Sequence, residues 1–284
     1  MALRQKVFRF IWRAANVALV ASLLTMVYSA GWEYSVRRYL AGFDEAIIPS
    51  NTAPEQRVDA ILRWMREGPP RSAEPTPSGL AIRDPETTLN YRRLLSVCGT
   101  ATNAFLNLAR TSNLQVRRLL LLSPDRTAKH VVAEVLLNGR WIVVDPTYRV
   151  VMRNAKGEML TRKDLQDAQN FAEARARIPN YPVEYNYDRY AHVRIARLPL
   201  YGLHLRPALD RMWPGWDESM DWSLLLERES FFVLTAAVLL SFVLLLLRFF
   251  LAWYADRRLK IARFHLWSHL VRASTAFFTT PEIK

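Results

Sequence analysis

Two long apolar runs, one near each end of the chain, dominate its hydrophobic pattern. Residues 14–32 hold no charged side chain, and residues 230–254 hold one, Arg248, close to the end of the run. A helix needs about 20 mostly apolar residues to cross the hydrocarbon core of a bilayer. The pattern therefore predicts two transmembrane helices, at 14–32 and 230–254, on either side of a more polar domain at 33–229.

Basic side chains lie at the outer end of each apolar run. They are Arg4, Lys6, Arg9 and Arg13 before the first run, and Arg257, Arg258, Lys260 and Arg263 after the second. Basic flanks of membrane helices are retained in the cytoplasm. We therefore expect a protein with two membrane spans, with segments 1–13 and 255–284 in the cytoplasm. The domain at 33–229 is then extracytoplasmic.

The two ends of the chain each leave an alternative open. The first apolar run ends in small residues, Ser29, Ala30 and Gly31, as cleavable signal peptides often do. Its length favours an uncleaved anchor. In the tail at 255–284, apolar residues stand among basic ones, which predicts either an amphipathic helix on the cytoplasmic leaflet or a short disordered segment.

The net charge of +13 belongs mainly to the membrane flanks. The domain at 33–229 holds 28 basic and 24 acidic side chains, which leaves 11 basic and 2 acidic ones for the rest of the chain. The domain also lacks an aromatic and basic stripe or a finger motif. We therefore expect the lipid bilayer, and no nucleic acid, as a partner.

The domain itself has an α+β pattern. Apolar residues at helical spacing predict helices at 54–67, capped at Asn51-Thr52, and at 98–109, closed by Asn113. A further helix is expected at 85–96, after Asp84-Pro85, and a polar helix at 165–176. The predicted strands are 115–122, 130–137 and 140–144, with a weaker hairpin at 150–160 and irregular packing at 179–222. Asn138-Gly139 is a strong signal for a two-residue hairpin turn between the second and third strands. We expect a helix packed on an antiparallel sheet, with the core at 85–165.

Cys98 is the single cysteine of the chain, and the pattern places it in the first turn of a helix. A buried, inert thiol is the ordinary interpretation of a lone cysteine. A thiol becomes a nucleophile when its pKa falls and a base stands nearby, and a helix N-terminus favours the thiolate. One cysteine is too few for a cysteine-based zinc site, and we expect neither a metal nor a cofactor.

His130 and Asp145 are the candidate partners of Cys98. His130 opens one strand of the predicted hairpin and Asp145 closes the other, so the turn brings the imidazole and the carboxylate together. Such a pair fixes the tautomer of a catalytic histidine. His192 and His204 are rival bases without a recognised partner. Glu134 shares a strand face with His130 if alternation holds, and it could bind either a backbone group or the Arg117 side chain.

Residues 96–148 resemble the core of the transglutaminase-like superfamily, a papain-related group. The resemblance is carried by Cys98-Gly99, Val116-Arg117, His130 with Glu134, Gly139-Arg140-Trp141, and Asp145-Pro146-Thr147, in that order. It implies a Cys98–His130–Asp145 triad that forms a thioester from an amide. The resemblance is to the membrane-anchored bacterial type, which implies a location in the bacterial inner membrane and favours hydrolysis over crosslinking. Val132 and Ser96 depart from the family pattern, where an aromatic residue and a glycine are common, and this leaves substrate preference open.

Two functions from different classes remain. The first is a membrane-anchored cysteine enzyme, an amide hydrolase or acyltransferase, that acts on a peptide or protein substrate. The second is a catalytically idle domain of the same fold that binds a partner in a cell-envelope system. The complete triad favours the first.

Overall fold

The computed structural model describes residues 2–67, 85–90, 95–193, 205–219, 224–225 and 228–260. His204, residues 91–94 of the helix predicted at 85–96, and the predicted tail helix beyond Lys260 lie outside these residues. The chain forms two compact units, one from residues 1–28 and 234–284 and the other from residues 29–233.

The helices are α1 (Ala2–Ile47), α2 (Pro54–Arg66), α3 (Pro85–Asn90), α4 (Cys98–Thr111), α5 (Ala168–Ala176), α6 (Leu205–Met212), α7 (Trp216–Ser219) and α8 (Glu229–Tyr254). The strands are β1 (Val116–Leu122), β2 (Ala128–Leu137), β3 (Arg140–Asp145), β4 (Val150–Val151) and β5 (Tyr190–Ala191). A 3₁₀ turn at Asp164–Gln166 precedes α5, and a π-helical turn at Ala255–Leu259 follows α8.

In the first unit, α1 and α8 lie side by side and antiparallel. The Ser22 hydroxyl contacts the Ser241 hydroxyl at 2.8 Å and donates to the Ala237 carbonyl at 3.1 Å. Further along, Phe8 packs on the ring of Tyr254. Small residues and shared hydroxyl bonds let two helices approach closely where no water is present.

The outward faces of these two helices are apolar. Both helices are long and apolar enough to cross a membrane, over Leu3–Ile47 and Glu229–Leu259. Their exposed side chains include Val17, Val20, Leu24, Val27, Leu239, Phe242, Val243 and Phe249. Contiguous exposed apolar surface of this kind marks a membrane or interaction face, in agreement with the two predicted spans.

In the second unit, an antiparallel sheet in the order β4-β3-β2-β1-β5 separates two apolar clusters. Side chains alternate between the two faces of each strand. On one face, Val135 and Val144 pack with Phe105 of α4. On the other face, Val132 and Val143 pack with residues of α5 and with the tyrosines at 181–187. The unit is thus a helix packed on an antiparallel sheet, as predicted.

The hairpin that presents His130 and Asp145 is confirmed. β2 and β3 pair up to Leu137 and Arg140, and the two residues between them have φ angles of 51° and 76°. Positive φ at both central positions defines the tight turn for which Asn-Gly is suited. α4 also begins at Cys98, as predicted, and ends at Thr111, two residues before Asn113, the residue predicted to close it.

Three local predictions differ from the structure. The helix that contains the first span continues to Ile47 because its polar second half carries a buried stripe, in which Leu40 is fully buried in the domain core. The cap of α2 is Ala53, whose N–H donates to the Gln56 side chain, and not Asn51-Thr52. The segment 179–222, predicted to be irregular, supplies β5 to the sheet edge.

Candidate active site

Cys98 is the first residue of α4, which is 14 residues long. The residue before it, Val97, has extended backbone angles and no side chain able to cap the helix, and the first in-helix hydrogen bond runs from Ala101 N–H to the Val97 carbonyl. The first-turn N–H groups of a helix have no carbonyl partner within it and give this end a partial positive charge. The half-buried Cys98 thiol therefore lies where an anion is stabilised.

His130 and Asp145 meet across the hairpin. His130 Nε2 lies 2.7 Å from Asp145 Oδ2, and both side chains are fully buried. The other carboxylate oxygen of Asp145 accepts hydrogen bonds from the backbone N–H groups of Thr147, at 3.0 Å, and Tyr148, at 3.2 Å. The turn after β3 thus fixes the carboxylate, and the carboxylate fixes one end of the imidazole ring.

The Cys98 side chain acts on the same imidazole. Burial alone lowers the pKa of His130, but the charge and hydrogen bond of Asp145, followed by those of Cys98, outweigh it and raise the pKa to about 9. Because Nε2 is hydrogen-bonded to Asp145, Nδ1 is the ring nitrogen available to the Cys98 sulfur. Nδ1 makes no hydrogen bond of ordinary geometry among the described residues, and such looseness is common in sites without substrate.

A buried hydrogen bond connects the cysteine helix to the histidine strand. The Thr102 hydroxyl, one turn after Cys98, donates to the Val131 carbonyl at 2.9 Å, next to His130 in sequence. Cys98 itself packs against Leu120, Leu122, Val131 and Ala191 at the same end of the sheet. The helix N-terminus and the start of β2 are therefore held together by both polar and apolar contacts.

Four tyrosines surround the His130–Asp145 pair: Tyr148, Tyr181, Tyr185 and Tyr187. The ring of Tyr185 is stacked on the imidazole, with centroids 4.3 Å apart. Burial raises the pKa of Tyr181 well above its ordinary value, and the charges of Tyr187 and Asp145 raise it further. The sequence interpretation missed these residues. The close spacing of Tyr181, Tyr185 and Tyr187 was the available signal.

Glu134 and its neighbours form a second buried polar cluster on the same sheet. The Arg117 guanidinium, one of the two partners considered for Glu134, donates to it at 2.6 Å and stacks over the Trp141 ring at 4.1 Å. His192 Nδ1 lies 2.6 Å from the Arg118 carbonyl, and its Nε2 lies 3.9 Å from Glu134. The structure thus places the rival base His192 with Glu134. Among the described residues, no group of three acidic, histidine or cysteine side chains is arranged to hold a metal ion.

Comparison with protein families agrees with this geometry. Residues 41–146 match the family model of the transglutaminase-like superfamily, and the matched range contains Cys98, His130 and Asp145. Searches of curated proteins and of solved structures found no significant match. The mixed helix and sheet architecture and the family match lead to one conclusion: this chain carries a domain of the transglutaminase-like superfamily.

Proposed function

We propose that this protein is a membrane-anchored cysteine enzyme that cleaves amide bonds in peptides or proteins through a thioester intermediate. The observation that carries the proposal is the buried 2.7 Å contact between His130 and Asp145, on an imidazole whose pKa the Cys98 side chain, at the start of α4, also raises. A nucleophile, a base and a group that orients the base are the three parts that such chemistry needs.

The first half of the proposed reaction acylates Cys98. The thiolate sulfur attacks the amide carbonyl carbon, and the first-turn N–H groups of α4 stabilise the negative charge that develops on the carbonyl oxygen. The His130 imidazolium gives its Nδ1 proton to the leaving nitrogen, the C–N bond breaks, and an amine departs. Asp145 holds Nε2 throughout, and its charge stabilises the imidazolium.

The second half releases the acyl group. His130, now neutral, takes a proton from a water molecule, whose oxygen attacks the thioester carbonyl. The C–S bond breaks, the carboxylic acid leaves, and the thiolate and imidazolium are restored. An amine in place of water would give a new amide, which is the crosslinking outcome. The resemblance to the superfamily favours hydrolysis over crosslinking.

The test is labelling of the full-length protein with a chloroacetamide probe, which carries an amide carbonyl beside its reactive carbon. Since Cys98 is the only cysteine, all thiol labelling reports on it. We expect rapid labelling of the wild type and much slower labelling of His130→Ala. The matched control is His192→Gln, because His192 is also a buried histidine but lies with Glu134. Equal labelling of the wild type and His130→Ala would indicate an ordinary thiol and favour the idle, partner-binding domain.

We further propose that the catalytic domain is extracytoplasmic and that both termini are cytoplasmic. Two features support this sidedness. Basic residues flank the outer end of each apolar run, and α1 and α8 pair as antiparallel neighbours through Ser22 and Ser241. An antiparallel pair of spans leaves the start of α1 and the end of α8 on the same side.

A further inference from the structure

Tyr185 lies flat against the imidazole of His130. The ring centroids are 4.3 Å apart, the planes differ by 3°, and both side chains are buried. We propose that Tyr185 is a positioning residue of the reactive centre, which fixes the plane of the His130 ring and stabilises its protonated form through the face of the phenol ring. This inference rests on the proposed function of Cys98 and His130.

The first part of the inference concerns orientation. The hydrogen bond from Nε2 to Asp145 fixes one corner of the imidazole but still permits the ring to rotate about that contact. A parallel ring at 4.3 Å blocks this rotation, because any large tilt would drive the imidazole into the face of Tyr185. Nδ1, the ring nitrogen assigned to the Cys98 sulfur, is then held in place before substrate binds, as pre-organised catalysis requires.

The second part concerns charge. The face of an aromatic ring is electron-rich and attracts a cation, most strongly where water is excluded. His130 is fully buried, so a ring stacked on it favours the imidazolium over the neutral imidazole. The typical strength of such a contact corresponds to about a tenfold change in a protonation equilibrium. Loss of the ring would therefore shift the titration of the pair by about one pH unit.

Other groups also face His130 and have to be separated from Tyr185. They are Asp145 from β3, Cys98 from α4, and Tyr148 and Tyr181 from the loops after β3 and α5. The two tyrosines meet the imidazole at steep angles, 72° and 86°, with centroids beyond 6 Å. Of these three tyrosines, Tyr185 is the one whose ring is parallel to the imidazole. Replacement of Tyr185 therefore removes the stacking and leaves the Asp145 carboxylate and the Cys98 thiol in place.

The test is the pH profile of Cys98 alkylation by iodoacetamide in the full-length protein. We compare wild type with Tyr185→Phe, which keeps the ring, and with Tyr185→Leu and Tyr185→Met, two variants without one. Phe171→Leu is the matched control, since it removes a ring that packs on Tyr181 and Tyr187 in the same cluster. Thermal unfolding of each variant reports separately on stability.

We expect Tyr185→Phe and Phe171→Leu to keep the wild-type profile. In the variants without a ring, His130 should lose its proton about one pH unit lower, so the alkaline inflection of the profile moves down by about one unit while the acidic limb, set by Cys98 beside the imidazolium, stays in place. Superimposed profiles for wild type and Tyr185→Leu would overturn the inference, as would an equal shift in Phe171→Leu. If His130→Ala has the same pH profile as the wild type, the proposed function itself is refuted.

Discussion

Replacement of Asp145 by asparagine removes the negative charge from the buried pair while it keeps the size of the side chain. In the folded protein, burial opposes the protonation of His130, but the Asp145 charge and hydrogen bond dominate and raise the pKa of His130 to about 9. In Asp145→Asn the burial effect remains and the main opposing effect is gone. His130 should then be neutral in the folded state at pH 7.

The magnitude follows from the two protonation equilibria. A histidine in the unfolded chain has a pKa near 6.5, so the raised folded value makes the native state bind the extra proton between about pH 6.5 and 9. This contribution to stability is complete below pH 6.5 and is lost as the pH rises through 9. At 1.36 kcal/mol per pKa unit the loss is about 3 kcal/mol. Over the same pH range, protonation of His130 should hardly change the free energy of unfolding of Asp145→Asn.

The assay is thermal unfolding in detergent, followed by tryptophan fluorescence from pH 6 to about 9.5. Both proteins carry Cys98→Ala so that titration of the thiol does not enter; the loss in Cys98→Ala is then smaller than in the wild type, because the Cys98 effects, the last in size, are gone. For a domain of this size the Tm should fall by roughly 5–10 °C over the range in Cys98→Ala. Parallel curves for Cys98→Ala and Cys98→Ala/Asp145→Asn would refute the reasoning.

Three further predictions concern the scaffold. Arg228→Leu should destabilise the domain by about 2–3 kcal/mol in chemical unfolding, because it removes charge-assisted hydrogen bonds to Glu33 at 2.9 Å and to Asn107 of α4 at 2.8 Å, while Arg37 still pairs with Glu33 at 2.7 Å; an unchanged free energy of unfolding would contradict the assignment. Gly139→Ala should lower stability by about 1 kcal/mol through strain at φ +76°, since open space surrounds the position; an unchanged Tm would contradict a strained turn. Alkaline phosphatase fused near Gly157, in an exposed turn, should be active in cells, and inactivity would reverse the proposed sidedness.

The hairpin and the cysteine helix were predictable because their signals are local. The Asn138-Gly139 turn fixes the register of β2 against β3, and that register alone brings His130 to Asp145. Apolar spacing likewise fixes the start of α4 at Cys98. In each case a few consecutive residues determine the geometry, so no knowledge of distant packing was needed.

The tyrosine cluster could not be placed for the opposite reason. Tyr185 reaches His130 from a segment 55 residues later that has no periodicity, and only the folded sheet brings them together. The same holds for Arg228, which meets Glu33 across 195 residues. By contrast, the extension of α1 to Ile47 had a readable signal, because Val36, Leu40 and Phe43 follow helical spacing. Because the chain becomes more polar after Trp32, the predicted helix was ended there.

The central claim is that Cys98 is acylated and then deacylated with the help of His130. The most direct measurement is mass spectrometry of the Cys98 peptide after mixing the full-length protein with p-nitrophenyl acetate. The account predicts an acetyl group on Cys98 that forms quickly and disappears in water, and little acetylation in His130→Ala. Acetylation of Cys98 at the same rate in both proteins, or a stable adduct in the wild type, would contradict it.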